Sequence, residues 1–142
     1  MKEKKLLVID DEPVIVEAIK EIFESTSWVV CSAHSGVEGL KMISSFNPSV
    51  IVSDINMPEM SGLALLAHLD ALGSVTPVIL LSGYRDMNTM QKAWEYSVFD
   101  FLDKPFEIDH LFNVVDSALE YGEDYVTTAR LRNTRIKRNR AS

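Results

Sequence analysis

A single cysteine, Cys31, excludes an internal disulfide and any metal site built from several thiolates. It sits in the apolar run Trp28 to Ser32 and reads as a core thiol. Long hydrophobic stretches are also missing. Runs such as Lys5 to Ile9 and Pro77 to Leu81 are far too short to cross a bilayer, and the lysines after Met1 are not followed by an apolar signal segment. The expectation is a cytoplasmic chain that does not engage a membrane. His34, His68 and His110 lack metal-ligand spacing and read as surface or boundary residues. Positive charge is scarce over most of the chain. All 21 acidic residues lie at or before Asp124, while six of the 14 Lys and Arg residues lie in Arg130 to Arg140. Eight basic against 21 acidic residues leave −13 on the body, and the tail carries +6. Such a body argues against nucleic-acid binding by the domain itself and suits a cation site.

What is present is one ordinary domain's worth of core-forming material, with 46% hydrophobic and 25% charged residues. Short β-type runs alternate with segments of helical period, the mark of βαβ units around a parallel sheet covered on both faces. The predicted strands are Lys5 to Ile9, Trp28 to Ser32, Val50 to Ser53, Pro77 to Leu81 and Asp100 to Leu102. The predicted helices are Pro13 to Glu24, Ser35 to Ser45, Gly62 to Leu72, the weaker Met87 to Tyr96, and about Glu107 to Leu119. Their inward stripes include Ile15, Ala18, Ile19, Ile22 and Phe23 in the first, Val37, Leu40, Met42 and Ile43 in the second, Leu65, Leu66 and Leu69 in the third, and Ile108, Leu111, Phe112, Val115, Ala118 and Leu119 in the fifth. The fold class is therefore α/β, a doubly wound (βα)₅ unit over residues 1–121. Residues 122–142 form a helical extension or a basic linker, because Gly122 opposes but does not forbid a continued helix.

In such a sheet, ligands sit at the carboxyl ends of the strands. Asp10-Asp11 follow the first strand, Asp54 the third, Ser82 the fourth and Lys104-Pro105 the fifth. Carboxylates crowded on one rim repel, and a hard divalent cation such as Mg²⁺ with oxygen ligands is the natural compensator. Lys104 supplies a compact positive charge, Ser82 a hydroxyl donor, and Asp54 a nucleophile able to form an acyl phosphate. Taken alone, each piece has a plainer explanation: Asp10-Asp11 as helix caps, Asp54 as a turn residue, Lys104-Pro105 as a loop. Their joint occurrence at successive strand ends favours the phosphoryl-transfer set.

The segments Val8-Ile9-Asp10-Asp11-Glu12-Pro13, Ser53-Asp54-Ile55-Asn56-Met57-Pro58 with Ser61-Gly62, Leu81-Ser82-Gly83, and Asp100-Phe101-Leu102-Asp103-Lys104-Pro105-Phe106 resemble the receiver domains of bacterial two-component response regulators over roughly residues 4 to 121. The resemblance implies a flavodoxin-like sheet of order 2-1-3-4-5. It implies phosphorylation of Asp54 by a sensor histidine kinase or phosphotransfer protein, with only self-phosphorylation and autodephosphorylation as activities. Mg²⁺, replaceable by Mn²⁺, would be held by Asp10, Asp11, Asp54 and the Asn56 carbonyl, and Asp11 would be the more direct ligand of the acidic pair. Ser82 and Phe101 would be the switch residues, Lys104 the partner of the phosphoryl group, and Lys104-Pro105 a cis bond. Trp94, Tyr96 and Phe99 are either simply packed or, if exposed, part of the face of the fourth helix, fifth strand and fifth helix that, by the resemblance, would meet an effector domain, a partner protein or a second copy of the chain.

Departures accompany the likeness. Ser97-Val98 replaces the usual Gly-Ala before the fifth strand, Phe99 stands where a polar residue is usual, and Tyr84 is bulky at a variable position. Two rivals are worth weighing. A phosphatase of the haloacid dehalogenase type needs a second Asp two residues after its nucleophile, where this chain has Glu12. A receiver-like scaffold that is never phosphorylated usually lacks an acid or the lysine, and here none is missing.

Overall fold

The computed structural model describes residues 3–122; the expected extension from residue 123 onward lies outside the described residues. Strands β1 (Lys5–Ile9), β2 (Val29–Ala33), β3 (Val50–Asp54), β4 (Val78–Ser82) and β5 (Asp100–Asp103) form one parallel sheet in the order β2-β1-β3-β4-β5. Helices α1 (Pro13–Phe23), α2 (Gly36–Phe46), α3 (Gly62–Ala71) and α4 (Met87–Glu95) alternate with them, and α5 runs from residue 108 to 122, the last described. The doubly wound expectation holds, with boundaries shifted by one or two residues. Asp54 and Ser82 are the last residues of their strands, and Trp28 sits just outside β2, buried edge-on against Phe23 with ring centroids 5.9 Å apart.

Strand geometry explains the two cores, because successive side chains point to opposite faces. Leu6 and Val8 of β1 join Val52, Ile79, Leu81 and Leu102 beneath α1 and α5. Leu7 and Ile9 join Ile51, Leu80 and Phe101 on the side of α2, α3 and α4. The inward stripes of α1 and α3 are largely as predicted. In α2, Leu40, Met42 and Ile43 pack against the second core as predicted, while Val37, predicted inside, is exposed. Two buried glycines take the remaining inner positions: a Cβ on Gly39 would lie 2.5 Å from Cδ1 of Ile9 on β1, and one on Gly36 would meet Met60. Ile108, grouped with the stripe of α5, is 60% exposed at the start of that helix. Cys31 on edge strand β2 is half-buried against the second core. His34, His68 and His110 are exposed, as expected. Among the described residues, no helix is long and apolar enough to cross a membrane.

Candidate functional site

Parallel register brings the predicted strand ends onto one rim. Ile9 of β1 lies opposite Ser53 of β3, which places Asp10 beside Asp54. Ser82 of β4 lies opposite Asp103 of β5, and the next residue, Lys104, donates its backbone N–H to the Ser82 carbonyl at 2.8 Å. The Lys104-Pro105 peptide bond is cis, as the resemblance implied.

Lys104 reaches back over the rim into the acids. Its Nζ is 2.9 Å from Asp10 Oδ2, 3.4 Å from Asp54 Oδ1 and 3.4 Å from Glu12 Oε1. Asp10 is fully buried and Asp54 nearly so, whereas Asp11 and Glu12 are exposed. Oδ1 of Asp10 accepts the Glu12 backbone N–H at 2.9 Å. Among the described residues, Asp10 Oδ2 has no partner except the ammonium. The cap explanation of Asp10-Asp11 fails here: the N-cap of α1 is Glu12, with no side-chain capping bond.

Burial pushes the Asp54 carboxyl above its ordinary range, and the Asp10 charge pushes the same way. The Lys104 ammonium and the Asn56 N–H, which points at Asp54 Oδ1 from 3.4 Å, oppose them without winning. Burial works to lower the Lys104 pKa, but the hydrogen bond and charge of Asp10, with the charges of Asp54 and Glu12, raise it on balance. Asp10, Asp11, Glu12 and Asp54 each place a carboxylate oxygen within 4.8 Å of the others. Four carboxylates against one ammonium are a poorly compensated set. Its donors are all oxygen, and one is a buried oxygen short of partners, so the residues fit a hard divalent cation such as Mg²⁺.

Beside this cluster lies a cleft of about 270 Å³ lined by residues that include Ile55, Asn56, Ser82, Tyr84, Arg85 and Met90. The Ser82 hydroxyl is buried and committed to its own loop: it donates to the Tyr84 carbonyl and accepts the Tyr84 N–H at 3.2 Å. Tyr84 itself is 80% exposed at the mouth of the cleft. Phe101, named as a switch residue by the resemblance, is buried. The Trp94 ring meets it edge-on at 5.7 Å, and the Arg85 guanidinium covers it at 5.7 Å. Of the three predicted partner-surface residues, only Trp94 is exposed. Tyr96 packs toward the α4 side of the sheet, and Phe99 packs toward the α5 side beside Tyr121, ring centroids 5.2 Å apart.

Sequence reasoning overlooked three contributors. Glu12 joins the acidic cluster, and the run Asp10-Asp11-Glu12 was the signal for it. Gly62 lets α3 press on the end of β3, since a Cβ there would lie 2.2 Å from the Asp54 carbonyl oxygen. Arg85 pairs with Asp103, Nε to Oδ1 at 2.7 Å, a contact that depends on strand order and had no local signal.

Comparison with known proteins gives a consistent outcome. The family model described as the response regulator receiver domain matches residues 6–116. The transcriptional regulatory protein GlrR of Escherichia coli (strain K12) is 33% identical over 119 residues, which cover 84% of this chain and 27% of that protein. The DNA-binding transcriptional regulator NtrC of the same strain is 31% identical over 117 residues, 82% of this chain and 25% of its own. The chain thus spans about a quarter of the length of these curated relatives. Among solved structures, the receiver domain of Francisella response regulator 1452 is 35% identical with a TM-score of 0.77, covering 83% of this chain and 98% of that one. A response regulator receiver domain protein from Clostridium thermocellum is 30% identical, also at 0.77, covering 84% and 96%.

Proposed function

The chain belongs to the family of response regulator receiver domains, and from that premise we propose that Asp54 accepts a phosphoryl group from a phosphohistidine on a sensor kinase or phosphotransfer protein. The observation that carries this reading is the convergence of Lys104 on Asp10 and Asp54, 2.9 and 3.4 Å away, at the centre of a four-carboxylate cluster.

An Asp54 oxygen attacks phosphorus as the P–N bond to the donor imidazole breaks, and the departing imidazole keeps the bonding electrons. No general base is required, because the attacking carboxylate is already an anion. Lys104 helps hold it in that state against burial and Asp10. Mg²⁺, or Mn²⁺ in its place, held by Asp10, Asp11, Asp54 and the Asn56 carbonyl, would supply charge neutralisation at the phosphoryl oxygens. Ser82 would exchange its bond to the Tyr84 carbonyl for one to the new anion, and the face around Trp94 would carry the change to an effector domain or partner, or to a second copy of the chain. Hydrolysis of the acyl phosphate resets the switch. Tyr84, exposed at the cleft mouth with Asn56 nearby, restricts the hydrolytic water and so lengthens the phosphoryl lifetime. The receiver unit is residues 1–121, and the basic residues from Arg130 to Arg140 belong to a linker rather than a nucleic-acid reader.

Incubation with a small phosphodonor and Mg²⁺ should add one phosphoryl group by intact mass, and Asp54→Asn should abolish the addition. Label uptake by Asp54→Asn would remove Asp54 as acceptor. An unchanged dephosphorylation rate in Tyr84→Ala would end the idea that this ring screens the acyl phosphate. Trp94→Ala should weaken self-association or partner binding, and no change in either would remove that face from the reading.

A further inference from the structure

We infer that Arg85 and Asp103 are positioning residues that bias Ser82 away from the phosphoryl site, so that parting them favours its engagement. The inference rests on the phospho-acceptor reading above. It concerns a step which that reading leaves open, namely what keeps the hydroxyl in its loop.

Three contacts define the clasp. Asp103 is the register partner of Ser82, and the backbone at Lys104 is tied to the Ser82 carbonyl at 2.8 Å, so the end of β5 is a fixed anchor beside Ser82. From that anchor the Asp103 carboxylate grips Arg85, three residues beyond Ser82, with Nε to Oδ1 at 2.7 Å. The same guanidinium lies 5.7 Å from the centre of the buried Phe101 ring, which Trp94 closes from another side. The short span Ser82-Gly83-Tyr84-Arg85 is thereby pinned at both ends to β5. Within it, the Ser82 hydroxyl donates to the Tyr84 carbonyl and accepts the Tyr84 N–H. Turning the hydroxyl away breaks both of its bonds to the Tyr84 backbone, whose position the neighbouring Arg85 helps to fix, so the ion pair favours the resting orientation of Ser82.

The pair is partly exposed, with side chains 40% and 68% accessible, so its strength is that of a surface ion pair reinforced by a cation over an aromatic face. It can bias the loop without locking it. Parting it should shift the equilibrium toward the engaged conformation by about three- to fivefold.

The test is titration of the full chain with beryllofluoride and Mg²⁺, a non-hydrolysable phosphoryl analogue, followed by Trp94 fluorescence. Wild type, Arg85→Ala, Asp103→Ala and the double variant are compared, with thermal melts to establish that each is folded. The expected result is that each single variant binds the analogue about three- to fivefold more tightly than wild type. The double variant should bind no more tightly than Arg85→Ala, which already loses both the ion pair and the contact with Phe101. Rising salt should tighten wild type more than the variants. Equal affinities in folded variants, weaker binding, or additive single effects would each overturn the clasp. If wild type binds no analogue, the phospho-acceptor reading fails instead, so the two failures are told apart.

Discussion

Replacing Asp54 by asparagine should make the metal-free protein more stable at neutral pH, although it removes the residue on which the proposed activity depends. The substitution preserves volume and leaves an oxygen for the Asn56 N–H, so its effect is almost purely one of charge. At an effective dielectric of about 20, Asp10 within 4.8 Å repels an ionised Asp54 by about 3.5 kcal/mol, and Lys104 at 3.4 Å returns about 5 kcal/mol. Holding an ionised carboxylate in a site only 5% exposed costs several kcal/mol more. The sum falls against the anion, in agreement with the upward direction of the Asp54 pKa. A net gain of about 1–2 kcal/mol for Asp54→Asn follows, roughly 3–8 °C in Tm for a domain of this size.

The sign with pH is fixed by the same shift. Below the ordinary value of 3.8 the carboxyl is neutral in both states, and wild type matches the variant. As pH rises, the unfolded chain ionises first while the native carboxyl resists, so wild type loses stability until the native pKa is passed. The advantage of Asp54→Asn should therefore open upward from about pH 4 and then level off. Urea denaturation in the presence of a chelator, at intervals from pH 4 to 8, measures it. Adding Mg²⁺ should close or reverse the gap, because a ligand at 100 times its Kd stabilises the state that binds it by about 2.7 kcal/mol. If Asp54→Asn is no more stable than wild type at pH 7 without metal, the crowding of carboxylates is not costly and the argument for the cation site fails.

Three further outcomes are expected. Lys104→Met should destabilise the metal-free fold by about 3 kcal/mol at neutral pH, since buried Asp10 and Asp54 lose their counter-charge. Because the Lys104 pKa is raised, that difference should persist up to its ordinary 10.5 and vanish as pH climbs past the native value; equal denaturation midpoints at pH 7 would refute it. Gly62→Ala should cost about 2 kcal/mol or more and weaken Mg²⁺ binding, because its Cβ would meet the unyielding Asp54 carbonyl oxygen at 2.2 Å; unchanged metal affinity by calorimetry would count against that coupling. Ser35→Ala, which removes the oxygen that accepts the Glu38 N–H at 3.1 Å, should cost about 1 kcal/mol in denaturation while phosphoryl acceptance stays intact.

The sheet was legible in the sequence because its strands are apolar on both faces, as in Leu6 to Ile9, and only a parallel sheet covered on both sides accommodates that. The acidic rim was legible because chain order alone puts Asp10, Asp54, Ser82 and Lys104 at strand ends. In α2 periodicity found Leu40, Met42 and Ile43 but failed at Val37, which faces out, and missed the close approach of Gly39 to β1: a hydrophobic stripe cannot report a contact made through a missing side chain. It failed again at Ile108, exposed at the start of α5 although it fits the inward spacing. The orientation of Ser82 and the Arg85 to Asp103 contact were beyond sequence reasoning for another reason. One is a rotamer choice, and the other joins residues 18 positions apart through the register of β4 on β5.

A weak surface contact carries consequence at this site because the states it separates are closely balanced. Lys104 divides its charge among Asp10, Asp54 and Glu12. A phosphoryl group on Asp54 would bring a stronger acceptor to the rim, and a hydrogen bond to an anion is roughly twice as strong as the neutral one Ser82 now makes to Tyr84. The gain for Ser82 is then only about 1–2 kcal/mol. An exposed ion pair worth up to about 1 kcal/mol is negligible against the stability of the whole fold but comparable to that gain. The same pair can thus be nearly silent in a melting experiment and still change the engaged population severalfold. This is why the clasp is tested by analogue affinity, with thermal stability serving only as the control.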